Sequence, residues 1–343
     1  MIALSTVVMI YVASGGLRSV AFVDCAQAIL LALGIMILGG VVIYYAGGWS
    51  GFTASFAEIV RNDISSGDNL TADGFSKKVA LPGSIQYVSS GSQSIGGSWT
   101  GIMCMTYMFA LMGIQSSPAF SMWAFSNKTS RAFRWQQLVA SSIVVGIILF
   151  TFTIIQGLGG HVLIEQSVIE SATDKNLIPQ LINLLSESTP WLVGLLAVCA
   201  LAAMQSTGAA YMSTFSAMFT KDIYTRYISK KASDNEQKNI GRFFVVFVTA
   251  AALVVAANSN QAIVMLGGLA VAYGFQMYPS LIGLCYYKGF NNKGVVAGLI
   301  VGLIAVTLTD RTSVWFAVPW GAYPFTIHSA GWGIFFNLIT TFF

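Results

Sequence analysis

The chain has 343 residues, of which 55% are hydrophobic and only 9% charged, with a formal net charge of +4. A soluble domain carries about a quarter charged residues, and a charge this thinly spread makes no nucleic-acid surface. Recurring apolar runs of bilayer-spanning length define a polytopic membrane protein, and the few ionisable groups in those runs, with no enzyme motif beside them, argue against an enzyme.

In chain order, apolar runs bounded by turn and charge signals predict about nine membrane segments. They lie at 1–14 (partial), 20–46, 101–125, 135–159, 190–220, 241–257, 261–287, 294–310 and 323–343. Residues 47–99, with "SSGDNL" and "SSGSQSIGG", read as an external loop carrying a short helix around 52–60, and 221–240 as a cytoplasmic loop. Residues 1–13 are apolar but shorter than the about 20 helical residues that cross a bilayer, and "GWGIFFNLITTFF" stops inside an apolar run. The expectation is one partial transmembrane domain over 1–343, a piece of a longer protein.

Charge sets the expected orientation. Loops 15–19, 126–134, 221–242 and 288–293 hold 12 of the 17 Lys and Arg, including Arg18, Arg131, Lys221 and Arg242. The alternate loops hold Arg61, Lys77, Lys78, Lys175 and Arg311. The basic set is expected on the cytoplasmic side. Cys25, Cys104, Cys199 and Cys285 lie in or at apolar segments without C-x-x-C spacing and read as small buried hydrophobes.

Two features inside apolar sequence carry chemistry. In "LAAMQSTGAAYMSTFSAMFTKDIY" (Leu201–Tyr224), Ala203, Ser206 and Thr207 share one helix face. Two hydroxyls and a nearby carbonyl can replace part of the water shell of a hard alkali cation; alternatively the hydroxyls bond the preceding helical turn. Asp24 begins the segment 20–46. An ionisable group there marks an ion or solute path, or else reaches interfacial water or pairs with Arg18.

"YVASGGLRSVAFVDCAQAILLALGI" resembles the "Y…GG(L/F)xAVxWTDxxQ" stretch of the solute:sodium symporter family, which includes bacterial proline permeases and sodium/glucose cotransporters. "AAMQSTGAAYMSTFSAMFTKDIY" is similar to that family's "AAxMSTxxSxLLxxSSxxTxDIY", and "NNKGVVAGLIVG" to its "xxxGAxAGxxxG", in the same order. The resemblance implies an all-α polytopic LeuT-type inverted-repeat transporter fold, here incomplete: core helix 4 (partial) to 10 plus two peripheral helices. Ion and solute sites lie at mid-membrane beside broken helices. By motif the family's sodium ligands fall on the Ala203 carbonyl and the Ser206 and Thr207 hydroxyls, and Asp24 matches the Asp of "WTD", although "AFVD" lacks the Trp and Thr.

Segment 101–125 corresponds to the family's unwound sixth core helix. Gly113 and Pro118 suit a break there, and Gln115, Ser116 and Ser117 either repair the freed backbone or meet a polar solute. With Gly113, Tyr273 and Gln276 they form the expected substrate-binding set. The implied function is sodium-coupled symport of a small polar solute (amino acid, carboxylate or similar metabolite) into a bacterial cell across the plasma membrane by alternating access. Na+ is the coupling ion, there is no other cofactor, and the partners are solute, sodium and the lipid bilayer. The alternatives are a transporter-like sensor module of a membrane histidine kinase and a proton-coupled relative.

Overall fold

The computed structural model describes residues 2–71, 74–81, 83, 99–170, 176–258, 263–310 and 323–342. "SSGSQSIGG", Lys175 and Arg311 lie outside the described residues. The chain divides into two compact units, Met1–Ile59 with Asn127–Ser259 and Val60–Ser126 with Asn260–Phe343.

The first unit opens with α1 (Ile2–Tyr45), two helical limbs hinged at Gly16, where φ is 61° and ψ −162°. A positive φ there is inexpensive only for glycine. The expected loop 15–19 is thus a one-residue hinge, because the carbonyls it frees find other donors. Ser19 Oγ donates to Tyr11 O at 3.3 Å and Arg242 Nε to Ala13 O at 3.2 Å.

After α2 (Gly48–Ser66), in which the division between the units falls, the first unit resumes at Asn127. There α6 (Arg131–Trp135) runs through a π-wound stretch, Gln136–Leu149, into α7 (Phe150–Glu165), followed by the short α8 (Leu177–Asn183). Its last two long helices are α9 (Pro190–Met218), prolonged by a π-wound stretch to Ile228, and α10 (Asp234–Asn258).

The expected cytoplasmic loop 221–240 therefore shrinks to residues 229–233. Ser233 caps α10 by accepting from Glu236 N at 3.2 Å, and the two helix ends are tied by Lys221 Nζ to Gln237 Oε1 (2.5 Å) and Tyr224 OH to Glu236 Oε1 (2.6 Å). The sequence Ser-Asp-Asn-Glu is a helix-start signature. Leu38, Val42, Phe52, Ile155, Val162, Leu163 and Leu196 pack as the unit's core.

In the second unit the expected single segment 101–125 is three pieces: α3 (Gly101–Leu111), α4 (Gly113–Ser116) and α5 (Pro118–Ser126). Thr100 caps α3 by accepting from Met103 N at 3.2 Å. Ser117 is extended (φ −66°, ψ 142°), as the residue before a proline tends to be. Segment 261–287 is likewise broken, into α11 (Ile263–Phe275) and α12 (Tyr278–Cys285), with Pro279 in the first turn of α12. The unit ends in α13 (Asn292–Thr309) and α14 (Ser329–Phe342), and its core is Ala110, Ala272, Phe275, Val306 and Ala330.

Five helices among the described residues are long and apolar enough to cross a bilayer: Ile2–Tyr45, Phe133–Glu165, Pro190–Ile228, Asp234–Ala257 and Asn292–Thr309. The breaks at Met112–Ser117 and Gln276–Met277 keep the other apolar runs short. Large apolar side chains such as Phe22, Trp135 and Leu284 lie exposed on the helices, as lipid-facing groups do. The same reason corrects one expectation: Cys25 and Cys285 are exposed, and only Cys199 is buried. In lipid, an apolar residue need not be covered by protein.

Outside the spans, Asp63 near the end of α2 organises the polar connection. Ser76 Oγ donates to its Oδ2 at 2.6 Å and Lys78 Nζ pairs with its Oδ1 at 3.3 Å. The Ser76 hydroxyl, helped by Lys78 and opposed by burial, holds the Asp63 carboxyl below the usual carboxylate range. Its contribution to order is therefore complete above the unfolded value of about 3.9 and fades as pH falls through the lower folded value. We expect Asp63→Asn to make segment 62–81 several-fold more sensitive to limited proteolysis at pH 7, and the parent to approach that sensitivity only in strong acid.

Candidate functional site

The expected ion-site residues lie in the first unit. Ala203, Ser206 and Thr207 sit about the middle of α9, inside an unbroken helix. Ser206 Oγ donates to Ala203 O at 3.4 Å, at the long limit for a hydroxyl bond. Ser206 is half-buried and Thr207 exposed within the described structure. The predicted hydroxyl and the predicted carbonyl are thus adjacent and only weakly engaged with each other.

Asp24, on the second limb of α1, is half-buried, and its Oδ1 is shielded with no hydrogen-bond partner. Arg18 is exposed and makes no ion pair with it, so that alternative for Asp24 falls; the ion pair among the described residues is Lys78–Asp63. One turn along, Gln27 is 9% exposed and donates from Nε2 to Gln205 Oε1 at 3.2 Å. This bridge ties the Asp24 helix to the Ser206 helix. Sequence reasoning passed over Gln27 and Gln205, although a carboxamide inside an apolar helix is itself a signal.

The expected solute-site residues lie in the second unit, where two helix breaks meet. A Cβ at Gly113 would stand 2.5 Å from the N and Cα of Phe275, so the α4 backbone packs directly on the end of α11. Ser116 Oγ donates to Gly113 O at 2.9 Å and across to Gly274 O at 3.1 Å, and Ser117 Oγ donates to Ile114 O at 2.9 Å. Both serines add a side-chain donor to carbonyls at the breaks that Ser117 N and Met277 N also serve.

Gln115 is exposed, and Tyr273 is half-buried with its hydroxyl 2.8 Å from Thr307 Oγ1. Gln276 is fully buried: it donates to Ala272 O at 3.1 Å and receives Asn337 Nδ2 on its carbonyl at 2.8 Å, which clamps the α11–α12 break to α14. Of the predicted set, Gln115 and Tyr273 retain access to a ligand, whereas Gly113, Ser116, Ser117 and Gln276 build the break itself.

Apolar helices interrupted by short breaks, with backbone polar groups re-satisfied locally, are features of the LeuT-type helical fold. The solved structure of a Na+-coupled sialic acid symporter, in a substrate-bound outward-open state, aligns with 99% of this chain and 64% of its own at a TM-score of 0.70 and 19% identity, a shared fold. Residues 1–302 match the sequence profile of the sodium:solute symporter family, and the chain belongs to that family. It is 24% identical over 300 residues to the sodium/proline symporter of Escherichia coli, covering 87% of this chain and 54% of that protein. It is 32% identical over 155 residues to the osmoregulated proline transporter of Bacillus subtilis, covering 44% and 31%. A mouse solute carrier family 5 protein (member 4B) matches at 24% over 315 residues, covering 86% and 46%. The chain thus spans about half or less of the curated relatives it matches.

Proposed function

We propose that the protein to which this chain belongs is a sodium-coupled symporter that imports a small polar organic solute across a bacterial plasma membrane. The observation that carries this reading is the Ala203–Ser206–Thr207 oxygen group on α9, weakly bonded and inside a chain of this family. In that reading the two hydroxyls and the Ala203 carbonyl hold Na+, and Asp24 supplies a negative charge on the ion's path. Gln115 and Tyr273 contact the solute beside the broken helices, which Gly113, Ser116, Ser117 and Gln276 hold in shape. Sodium binding stabilises the outward-open state and raises solute affinity.

The driving force suffices without covalent chemistry. One cation moving down 100 mV yields about 2.3 kcal/mol, and a tenfold sodium gradient adds about 1.4 kcal/mol. Together these sustain a solute gradient of a few hundredfold.

Proline, named for the bacterial relatives, is the first solute to test. Full-length protein in proteoliposomes is expected to accumulate it, or another member of an amino-acid and carboxylate panel, when sodium is outside and not when choline replaces it. Uptake indifferent to sodium but collapsed by a proton uncoupler would replace this reading with proton coupling.

A further inference from the structure

In the second unit, α14 starts against a buried histidine. His328 immediately precedes the helix, is only 3% exposed, and accepts on Nδ1 from Ala330 N at 3.3 Å. That is the bond an N-cap side chain makes to the second helical N–H, here made by an imidazole. Accepting it requires a lone pair on Nδ1, which the neutral ring has and the imidazolium lacks.

The cap is interlocked with the start of α3. His328 N donates to Thr106 Oγ1 at 3.0 Å, and Thr100, which caps α3, donates from its hydroxyl to Thr326 Oγ1 at 2.8 Å. Just ahead of His328, Tyr323, Phe325 and Thr326 stand at φ of 53°, 55° and 54°. A left-handed backbone is unfavourable for residues with a Cβ, most of all for a β-branched one, so the two threonine ties hold a strained turn in place.

Tyr107 of α3 meets the imidazole edge-on at 4.9 Å between ring centres, and Tyr323 stacks on it at 5.7 Å. From α11 it is the backbone of Gly268 that faces the ring, an added Cβ there lying 3.9 Å from Nε2. The charged group acting on the ring among the described residues is buried Asp310 at the end of α13, whose Oδ2 accepts from Ser329 Oγ at 2.6 Å. Because α13 begins beside the basic loop 288–293, its Asp310 end and His328 fall on the outer side.

A proton on Nδ1 turns the acceptor into a donor and sets a positive charge at the N-terminus of α14, where the helix dipole opposes it. The imidazolium gives up Ala330 N–H and is drawn towards the Asp310 carboxylate. The strained turn then relaxes, and with it goes the hold of Thr326 on the cap of α3.

We infer that His328 is a pH-operated cap on the outer side of the second unit: neutral, it starts α14 and pins α3, and protonated, it releases both. Release loosens the broken helix α3–α4 and slows transport in acid. The effect on transport rests on the proposed function, whereas the cap itself does not. An imidazole ordinarily titrates near about 6.5, and a cap that needs the neutral ring is complete above its titration and lost as pH falls through it.

The test is backbone hydrogen exchange over residues 326–332 in full-length protein in lipid nanodiscs, corrected for the chemical exchange rate at each pH. Between about pH 7.5 and about pH 5, on either side of ordinary imidazole titration, the parent is expected to lose protection about tenfold. Proteoliposomes with inner pH and membrane potential held constant should take up solute about threefold more slowly over the same fall in outer pH. His328→Asn, which can cap but does not titrate, should keep the parent's neutral-pH protection and uptake throughout. His328→Leu, which cannot cap, should lack the protection at both ends. Asp310→Asn, which removes the anion that favours the imidazolium, should move the acid transition to lower pH.

A parent whose protection does not change with pH, or a His328→Asn variant that keeps the parent's acid response, would overturn the cap. An acid transition unmoved in Asp310→Asn would overturn it as well. Exchange that responds to acid while uptake does not would overturn the control of transport. Uptake that needs no sodium would overturn the coupling reading, whereas the exchange result decides the cap by itself.

Discussion

Replacing both α9 hydroxyls, Ser206→Ala with Thr207→Ala, is expected to raise the sodium concentration for half-maximal uptake by the full-length protein at least tenfold. The reason is the type of oxygen lost. Helical carbonyls are already engaged along α9, and Ser206 Oγ is tied only by a 3.4 Å contact to Ala203 O, so it can turn to an ion at little cost. An alkali ion deprived of two hydroxyl ligands regains them only as water, and a tenfold loss is about 1.4 kcal/mol, modest for two charge–dipole contacts. Thr207→Ser, which keeps the hydroxyl, should stay within about threefold, while Thr207→Val, nearly isosteric but without oxygen, should account for much of the double variant's effect. Solute affinity at saturating sodium should move little in any of them. An unshifted sodium dependence in the double variant would remove Ser206 and Thr207 from the ion site.

What the sequence made legible was the chemistry of individual segments. Gly113 and Pro118 announced a broken helix because each has a local backbone consequence, and the break lies between them. Segment lengths followed from apolar runs, though the 15–19 loop became a hinge at one residue because Ser19 and Arg242 supply donors to the carbonyls it frees. Tertiary partners were not legible. Nothing in a periodicity says that Gln276 will clamp Asn337, 61 positions away, or that Gln27 will meet Gln205, 178 positions away. For the same reason type and place alone left Ser116 and Ser117 open between repairing the backbone and meeting a solute, and set Gln276 among the solute contacts; their hydrogen bonds involve backbone and Asn337. Polar residues at a helix break can serve the backbone or a ligand, and their type does not distinguish the two.

The same geometry makes Gly113 a sensitive position in the second unit. A methyl group added there would stand 2.5 Å from the Phe275 N and Cα, backbone atoms that cannot swing aside as a side-chain end can. Moving α11 away to relieve the contact would stretch the 3.1 Å Ser116–Gly274 bond and loosen the faced breaks on which the proposed solute path depends. Overpacking of this kind costs about 1–3 kcal/mol, and loss of the Ser116 bond to a carbonyl that Met277 N still serves adds about 0.5–1.5 kcal/mol. Gly113→Ala should therefore lower uptake by the full-length protein at least a hundredfold, or lower the amount of folded protein and its melting temperature by several degrees. Gly267→Ala, on α11 where the added methyl meets nothing within 4 Å, is the matched control and should retain both folding and uptake. If Gly113→Ala transports like the parent, the breaks are not packed backbone to backbone, and the serines beside them become available for solute after all.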